Sequence, residues 1–412
     1  MNISKVSDGI FKLSINLEDA LFEGMWPVPN GVTMNSYIIR GEKTALIDGI
    51  CGWDGMPESL IELLKKLDIE IPQIDYIIVN HMEPDHSGWM EKVLEICPDC
   101  RIVTGKKSLP LLKAFFEFEG ECIVVGEGDT LDLGAGRVLS FHDIPNVHWP
   151  ETIATFDTLS GTLFPCDAFG SYGVAGENGY DDMLSPDQLA GFEQDAIRYY
   201  ANIVAAFSAP AAKAIEKCVP LPIKIIAPGH GLVWRKDPMK IVNDYIRYAS
   251  YQKGPCENEI TLIWGSMYSN TEKAVLHAIE TLKKQDITLH VHRVPEDHCG
   301  EILASVWSST GLILAMPTYE YKMFPPMAAV LDELCRKKVQ NRKVFRFGSF
   351  GWSGGAQKEL DEIVTRNKIT WDFLEPVEFQ GSAKAEHLEM IEKKCAELVK
   401  IVNEAVAAQK EK

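Results

Sequence analysis

The pattern of apolar and polar positions divides the chain into two parts that differ in the order of their predicted elements. After residue 258, short apolar segments alternate with amphipathic segments of helical period, as in 260–264 followed by 271–284. This strand–helix order predicts a doubly wound parallel sheet. The first part opens on strands predicted at 31–40 and 44–48 and later alternates strands with helices. That mixture predicts a sheet-on-sheet core flanked by helices.

The boundary between the two parts is predicted in the segment 252–257. Gly254 and Pro255 there end a helical pattern, and the character of the sequence changes afterwards. A chain of 412 residues is also longer than one hydrophobic core usually serves. We therefore predict one domain over residues 1–254 and a second over residues 255–412.

Four residues that can bind a metal follow an apolar strand predicted at 74–79. They are His81, Glu83, Asp85 and His86. The segment has neither a strand period nor a helix period, so we predict a loop, with a helix beginning after Gly88. Two imidazoles and two carboxylates suit iron, manganese or zinc, and the carboxylates favour iron. A polar surface turn is the alternative, but four ligand types within six positions argue against it.

The spacing His-x-Glu-x-Asp-His resembles the diiron variant of the metallo-β-lactamase motif that is found in flavodiiron proteins. The resemblance implies an αββα sandwich and three further ligands, each of which stands here after a predicted strand: His148, Asp167 and His230. It also implies how the ligands divide: one iron takes His81, Glu83 and His148, the other takes Asp85, His86 and His230, and Asp167 bridges them.

Other positions near such a site are less determined by the sequence. Many family members place a histidine in an early loop, whereas this chain has none at 22–27, so Met25 or Trp26 is expected at the pocket. Tyr199 or Tyr200 is expected to direct a catalytic phenol at bound gas, with helix packing within 185–207 as the alternative. His142 lies outside the motif and is either structural or a support for a ligand.

Three loops at strand ends of the second part suggest a flavin pocket. The loop 265–272 places small and hydroxyl residues before a helix, where backbone N–H groups bind anions. It has neither Gly-x-Gly-x-x-Gly nor a P-loop lysine, which disfavours dinucleotides and ATP. Alone it could equally be a plain helix cap, but it resembles the flavodoxin phosphate loop.

With the loops at 317–320 and 349–355, this resemblance implies an FMN site. The expected residues are Ser266, Met267, Tyr268, Ser269, Asn270, Thr271, Pro317, Thr318, Tyr319, Glu320, Ser349, Phe350, Gly351, Trp352, Ser353 and Gly354. Ser266, Ser269, Asn270 and Thr271 are expected to hold the phosphate. Tyr319 and Trp352 are expected nearest the isoalloxazine ring.

Composition and charge narrow the class of partner. A formal net charge of −18 argues against nucleic acid and anionic membrane surfaces. The sequence has no long apolar run and no signal-peptide pattern, so we expect a cytoplasmic protein. Cys97 and Cys100 form the single Cys-x-x-Cys among ten cysteines, whereas a rubredoxin-like site needs two such pairs. We therefore expect reduced cysteines and an external electron donor.

The resemblance implies an oxidoreductase with FMN and a non-haem diiron site that reduces O2 to water, NO to N2O, or both. Electrons would come from rubredoxin or a flavin reductase, and the chains would pair as a head-to-tail homodimer, possibly as a dimer of dimers. One alternative is a zinc hydrolase of the metallo-β-lactamase type with an accessory flavin domain, against which Glu83 counts. The other is a non-catalytic redox sensor or electron-transfer protein, which has no need of open metal positions.

Overall fold

The computed structural model describes residues 1–51, 58–120, 122–176 and 179–410. The chain divides into two compact units, Met1–Ile246 and Arg247–Lys412. Among the described residues, no helix has both the length and the apolar composition needed to cross a membrane.

The first unit contains fourteen strands and seven helices within the described ranges. The strands are β1 (Asn2–Ser7), β2 (Ile10–Leu17), β3 (Leu21–Phe22), β4 (Trp26–Pro27), β5 (Val32–Arg40), β6 (Thr44–Ile47), β7 (Tyr76–Val79), β8 (Ile102–Gly105), β9 (Cys122–Val125), β10 (Thr130–Asp132), β11 (Val138–Asp143), β12 (Ile153–Asp157), β13 (Thr162–Phe164) and β14 (Ile225–Ile226). The helices are α1 (Glu58–Lys66), α2 (Pro84–Ser87), α3 (Met90–Ile96), α4 (Leu109–Phe116), α5 (Pro186–Tyr199), α6 (Ser208–Cys218) and α7 (Pro238–Ser250), the last of which runs across the division at Ile246.

Two sheets form the core of this unit. The first has the order β1-β2-β5-β6-β7-β8-β9 and is antiparallel up to β6 and parallel beyond it. The second has the order β10-β11-β12-β13-β14. Ile47, Ile78 and Val103 of the first sheet share one apolar core with Phe141 and Ile153 of the second. This arrangement confirms the predicted sheet-on-sheet core.

The segment after β7 is more helical than the sequence analysis predicts. The loop ends at Glu83, because Pro84 begins the one-turn helix α2, which contains Asp85 and His86. Proline suits the first turn of a helix, since its missing N–H would have no partner there. A single turn is too short to show a period in the sequence, so a loop was the wrong prediction for these two positions.

The helix predicted at 185–207 contains an irregular turn. After α5, residues Tyr200–Val204 form a π-helical turn and Ala205–Phe207 a 3-10 turn, and α6 follows directly. A π-turn accommodates one more residue per turn than an α-helix and is frequent at functional sites. Tyr199 ends the α-helical part, and the side chains from Tyr200 onward therefore depart from α-helical spacing.

The second unit is built on a parallel sheet. Its strands are β15 (Glu257–Trp264), β16 (Thr288–Arg293), β17 (Ser309–Ala315), β18 (Thr318–Tyr319), β19 (Lys322–Met323), β20 (Lys343–Phe350), β21 (Asp372–Phe373) and β22 (Val377–Gln380), and its helices are α8 (Asn270–Leu282), α9 (Cys299–Ser308), α10 (Pro325–Arg336), α11 (Ala356–Arg366) and α12 (Ala385–Lys410). The sheet has the order β16-β15-β17-β20-β21, with β22 pairing with β20 as well. This is the doubly wound order of flavodoxin-like sheets, whose ligands bind where the strand order reverses, here between β15 and β17.

Candidate metal centre and flavin pocket

All seven predicted metal ligands come together in the first unit. Each lies beyond a strand: four follow β7, and His148, Asp167 and His230 follow β11, β13 and β14. Six of the seven are buried, and the Glu83 side chain is 14% exposed. They fall into two groups whose ligand atoms lie within 4.8 Å of one another: His81, Glu83, His148 and Asp167 in one, and Asp85, His86 and His230 in the other.

Asp167 stands between the two groups. Its Oδ2 lies 3.1 Å from His81 Nε2 and 3.3 Å from His148 Nε2. Its Oδ1 lies 2.9 Å from His86 Nε2 and 3.1 Å from His230 Nε2. Each carboxylate oxygen thus faces one group, which is the arrangement that a carboxylate shared by two cations requires.

Several of the ligand atoms are buried but make no hydrogen bond. Among the described residues, both oxygens of Asp85, both nitrogens of His230 and Oδ2 of Asp167 are buried without a hydrogen-bond partner. His230 Nε2 is nevertheless 3.3 Å from Asp85 Oδ2. The two observations agree if both atoms point at a common centre, because proximity without alignment makes no hydrogen bond. A buried polar atom without a partner is costly, and a cation at that centre removes the cost.

The imidazoles and carboxylates of the cluster shift one another's pKa. Burial works to raise the pKa of Asp167, but the His86 and His81 imidazoles hold that pKa well below its usual range. Burial works to lower the pKa of His148 and His230, but their carboxylate neighbours raise both to about 9. Metal ligation requires neutral imidazoles, so a cation that binds here displaces these protons.

Glu151 supports His81 and was not predicted from the sequence. Its Oε1 accepts hydrogen bonds from His81 Nδ1 at 2.8 Å and from the Met82 N–H at 3.0 Å. A proton held on Nδ1 leaves Nε2 as the ligand atom and fixes the orientation of the ring. In the sequence, Glu151 is marked only by its place three residues after His148. No period or motif distinguishes it there from an ordinary loop residue.

An open cleft leads to the ligands, and Phe22 lies beside it. The cleft is lined by Asp19, Ala20, Leu21, Phe22, Glu23, Gly24, Glu83, Pro84 and Asp85. The Phe22 ring is 5.1 Å from the His230 ring. Met25 is 43% exposed, and the buried Trp26 donates its indole N–H to Glu23, so neither is among the described residues of this lining. The β3–β4 hairpin thus presents Phe22 to His230, and a place for Met25 or Trp26 near the metal pocket stays a prediction.

The two candidate tyrosines have different surroundings. The Tyr199 ring lies 5.7 Å from the His230 ring, and its buried hydroxyl has no hydrogen-bond partner among the described residues. Burial raises the pKa of Tyr199 well above its usual value, so the phenol keeps its proton. Tyr200 donates its hydroxyl to Ser208 at 3.0 Å and packs edge-on against Tyr245. These contacts of Tyr200 fit the packing role that the sequence analysis gave as the alternative.

His142 also has a structural environment. Its Nδ1 lies 3.1 Å from Glu127 Oε1, and its Nε2 lies 3.1 Å from Ser140 Oγ. Neither contact involves a predicted metal ligand. Of the two alternatives for this residue, the structural one fits its contacts.

The three predicted loops of the second unit border one pocket of about 330 Å³. Its lining is Ser266, Met267, Tyr268, Asn270, Pro317, Thr318, Tyr319, Glu320, Ser349, Phe350, Gly351, Trp352 and Gly381. Gly381 was not predicted; it follows β22, whose pairing with β20 is not evident from the sequence. The pocket lies where the sheet order reverses, as ligand sites of such sheets do.

Four predicted residues lie outside this lining: Ser269, Thr271, Ser353 and Gly354. Ser269 has a positive φ of 61° and donates its hydroxyl to Glu272 at 2.6 Å. The buried Thr271 hydroxyl meets the Ser349 hydroxyl at 2.9 Å, which ties the first loop to the third. These hydroxyls hold the loops in shape. Asn270 begins α8 and Ser266 lies in the loop before it, at the helix end where an anion binds favourably.

Comparison with known proteins gives this arrangement a family. A family model described as "ODP family beta lactamase" matches residues 32–231. The nitric oxide reductase of Moorella thermoacetica is 30% identical over 370 residues, which cover 88% of this chain and 90% of that protein. The anaerobic nitric oxide reductase flavorubredoxin of Pectobacterium carotovorum is 34% identical over 82% of this chain but only 65% of its own length. This chain thus spans less than two thirds of that relative.

Solved structures agree over nearly the whole chain. The rubredoxin oxygen:oxidoreductase from Desulfovibrio gigas superposes with a TM-score of 0.90 at 26% identity, covering 98% of this chain and 100% of that one. A flavo di-iron protein variant from Thermotoga maritima superposes with a TM-score of 0.87 at 29% identity, covering 97% and 98% of the two chains. The chain belongs to the flavodiiron protein family.

Proposed function

We propose that this chain is a flavodiiron oxidoreductase that reduces O2 to water, NO to N2O, or both. The observation that carries the proposal is the position of Asp167, whose two oxygens face two separate groups of buried imidazoles and carboxylates. The names of the relatives support both gases, since one is a nitric oxide reductase and another an oxygen oxidoreductase. A zinc hydrolase is not favoured, because the relatives are oxidoreductases.

The residue groups support a division of the ligands between two irons. In this proposal one iron takes His81, Glu83 and His148, the other takes Asp85, His86 and His230, and Asp167 bridges them. Imidazole and carboxylate ligands together suit iron. The proposed domains are residues 1–254 for the diiron site and residues 255–412 for the FMN pocket.

When bound, FMN and the paired irons would supply the electron transfer that reduction of the gas requires. The protein's part is positioning and exclusion of water. Glu151 fixes the His81 ring, and the Phe22 ring covers His230 on the side of the cleft. Tyr199 keeps its proton next to His230, so we propose it as the hydrogen-bond donor to the bound gas.

The electron donor is proposed to be rubredoxin or a flavin reductase. The chain has one Cys-x-x-Cys pair where a rubredoxin site needs two. One structural relative is named a rubredoxin oxygen:oxidoreductase, which supports rubredoxin as the donor. A cytoplasmic location is part of the same proposal, since both donors are soluble carriers.

We propose further that two chains pair head to tail, with the FMN of each against the irons of the other; two such dimers could associate again. Two-fold symmetry makes both contacts identical.

The experiment combines two inactive variants. One variant, His81→Ala with Asp167→Ala, should lose iron. A second variant, Ser266→Trp with Gly351→Trp, should lose FMN. Each mixed dimer then holds one intact FMN–iron pair instead of two. If equal amounts are co-refolded and the chains pair at random, about half of the dimers are mixed, so about one quarter of wild-type activity should return. Verified mixed dimers without activity would exclude the head-to-tail arrangement.

The experiment that tests the function measures metal, flavin and gas turnover on one preparation. We expect about two irons and one FMN per chain, as the ligand set and the pocket imply. Consumption of O2 and of NO should each depend on a reduced donor, and the two rates compared under one donor give the preferred gas. A fully active preparation that contains zinc and no iron would contradict the proposal.

A further inference from the structure

Cys97 and Cys100 lie in a tight turn between α3 and β8, outside the metal cluster and the flavin pocket. The Cys100 N–H donates to the Cys97 carbonyl at 3.2 Å, which closes a four-residue turn with Pro98 and Asp99 at its centre. In such a turn the first and last Cα atoms lie less than about 7 Å apart. A disulfide spans about 4.4–6.8 Å between Cα atoms, a range that overlaps the separation in such a turn.

The two cysteines of this turn differ in exposure. The Cys97 thiol adds to the electrostatic environment of Cys100. Cys97 is half-buried and open to a small oxidant, whereas Cys100 is 7% exposed. Burial, with a smaller contribution from Cys97, raises the pKa of Cys100 to about 11, so this thiol keeps its proton at neutral pH.

A third thiol, Cys122, opens β9 beside this turn. It pairs in register with Ile102, and it adds to the electrostatic environment of Cys100. The three sulfurs are not among the sets of potential metal ligands found within 4.8 Å of one another in the described residues. This spacing argues against a metal held by the three thiolates and leaves the pair in the turn as the reactive unit.

We propose that Cys97 and Cys100 form a reversible disulfide when the protein meets hydrogen peroxide. The Cys97 sulfur attacks one peroxide oxygen, the O–O bond breaks, and a sulfenic acid and one water form. The Cys100 sulfur then displaces the hydroxyl group from Cys97, and its proton leaves with that group as a second water. Two thiols lose two electrons in total, and one peroxide gains them. A dithiol reductant reverses the step by exchange.

The position of the pair sets its reactivity. Thiols with a strongly lowered pKa stand at helix N-termini or beside cations, where the thiolate is stabilised. Cys97 instead follows the C-terminal end of α3, and its N–H donates to Val93. The reduced form has no such stabilisation from this helix, so the disulfide should form slowly and should resist reduction by glutathione.

The test uses the full-length holoprotein. It is treated with hydrogen peroxide, its free thiols are alkylated, and it is digested with trypsin, which leaves both cysteines in the single peptide 93–101. We expect this peptide to carry no alkyl groups and to be lighter by two hydrogen atoms than the reduced, unalkylated peptide. Reduction with dithiothreitol followed by alkylation should return the doubly alkylated form. Cys122→Ser and Cys299→Ser should behave like the wild type. Cys100→Ser should leave a Cys97 sulfenic acid that dimedone traps, and Cys97→Ser should lose the mass shift completely.

Two results would overturn the proposal. Peptide 93–101 could remain doubly alkylated in the wild-type protein after peroxide treatment, a measurement that requires no variant. Alternatively, Cys100 could be found linked to Cys122, in which case the turn would not define the reactive pair. Because iron and FMN content are not the readout, either result leaves the proposed gas reduction untouched.

Discussion

The metal cluster and the flavin pocket both lie at strand ends, but they are built from different materials. The cluster is made of charged side chains that are almost completely buried and that converge on two centres. The pocket is made of three loops with aromatic side chains at its rim, of which Trp352 is 72% exposed and Tyr268 is 85% exposed. A small cation is bound by a few ligand atoms held in fixed directions, whereas a large planar ligand is bound by many contacts spread over a wide surface. Loss of one side chain should therefore be severe in the cluster and graded in the pocket.

The largest effect is expected from Asp167→Ala. This change removes the carboxylate that faces both groups and leaves two cations poorly screened from each other. We expect loss of at least one iron and of gas reduction, with FMN retained because its pocket lies in the other unit. Metal analysis and the flavin spectrum measure both effects on one sample. Full iron content with near-normal turnover would show that Asp167 is not the bridge.

Glu151→Gln should come next in size. The amide keeps the shape of the side chain but cannot match the charge that holds the His81 ring. Loss of such a supporting contact typically costs about 10–100-fold in metal affinity. Competition with a chelator measures this affinity, and the redox potential of the irons should shift as well. Glu127→Gln is the matched control, because Glu127 also contacts a histidine, His142, that is not a ligand. Equal effects of the two changes would contradict the supporting role.

In the flavin pocket, Trp352→Ala should have a moderate effect. An aromatic contact contributes roughly 0.5–1.5 kcal/mol beyond buried area, which is about twofold to tenfold in FMN affinity. Iron content should not change. Tyr321→Ala is the control, since Tyr321 is exposed beside Trp352 but is not among the described residues that line the pocket. Complete loss of FMN from the Trp352 variant would show that the pocket depends on single side chains as strongly as the cluster does.

The smallest effect is expected in the pH dependence of the metal-free protein. Folding raises the pKa of His148 and of His230 from 6.5 to about 9. The protonated side chains therefore stabilise the fold below pH 6.5, and this contribution is lost as the pH rises through 9. Burial works to raise the pKa of Glu83, but hydrogen bonds to His148 and His81 lower it from 4.5 to about 2. The ionised Glu83 therefore stabilises the fold above pH 4.5, and this contribution is lost as the pH falls through 2. The unfolding temperature should therefore be highest between these limits and fall by a few degrees on either side.

Calorimetry of iron-free protein between pH 2 and pH 10 measures this curve. His148→Gln should reduce the fall on its alkaline side, because it removes one of the imidazoles whose pKa is raised. His142→Gln should leave the curve as it is, since His142 lies outside the cluster. An alkaline side that His148→Gln does not change would show that the cluster contributes little to stability.

The sequence predicted most of what depends on local pattern. The doubly wound sheet follows from regular strand–helix alternation, and the ligands follow from a recognisable spacing after apolar strands. Glu151 and Gly381 were missed because their roles arise from contacts between distant segments. Phe22 was missed because the two-residue strands β3 and β4 are too short for a pattern to show which side chain faces the cleft.

The π-helical turn at Tyr200–Val204 has a consequence for comparing sequences within the family. Such a turn corresponds to one residue inserted into a helix, and each residue of an α-helix advances by about 100° around its axis. A homologue without the insertion would align with a one-residue gap inside a helix, where alignment methods penalise gaps most. An alignment that confines gaps to loops would then shift every position between the π-helical turn and the next loop, and it would equate those positions with the wrong residues.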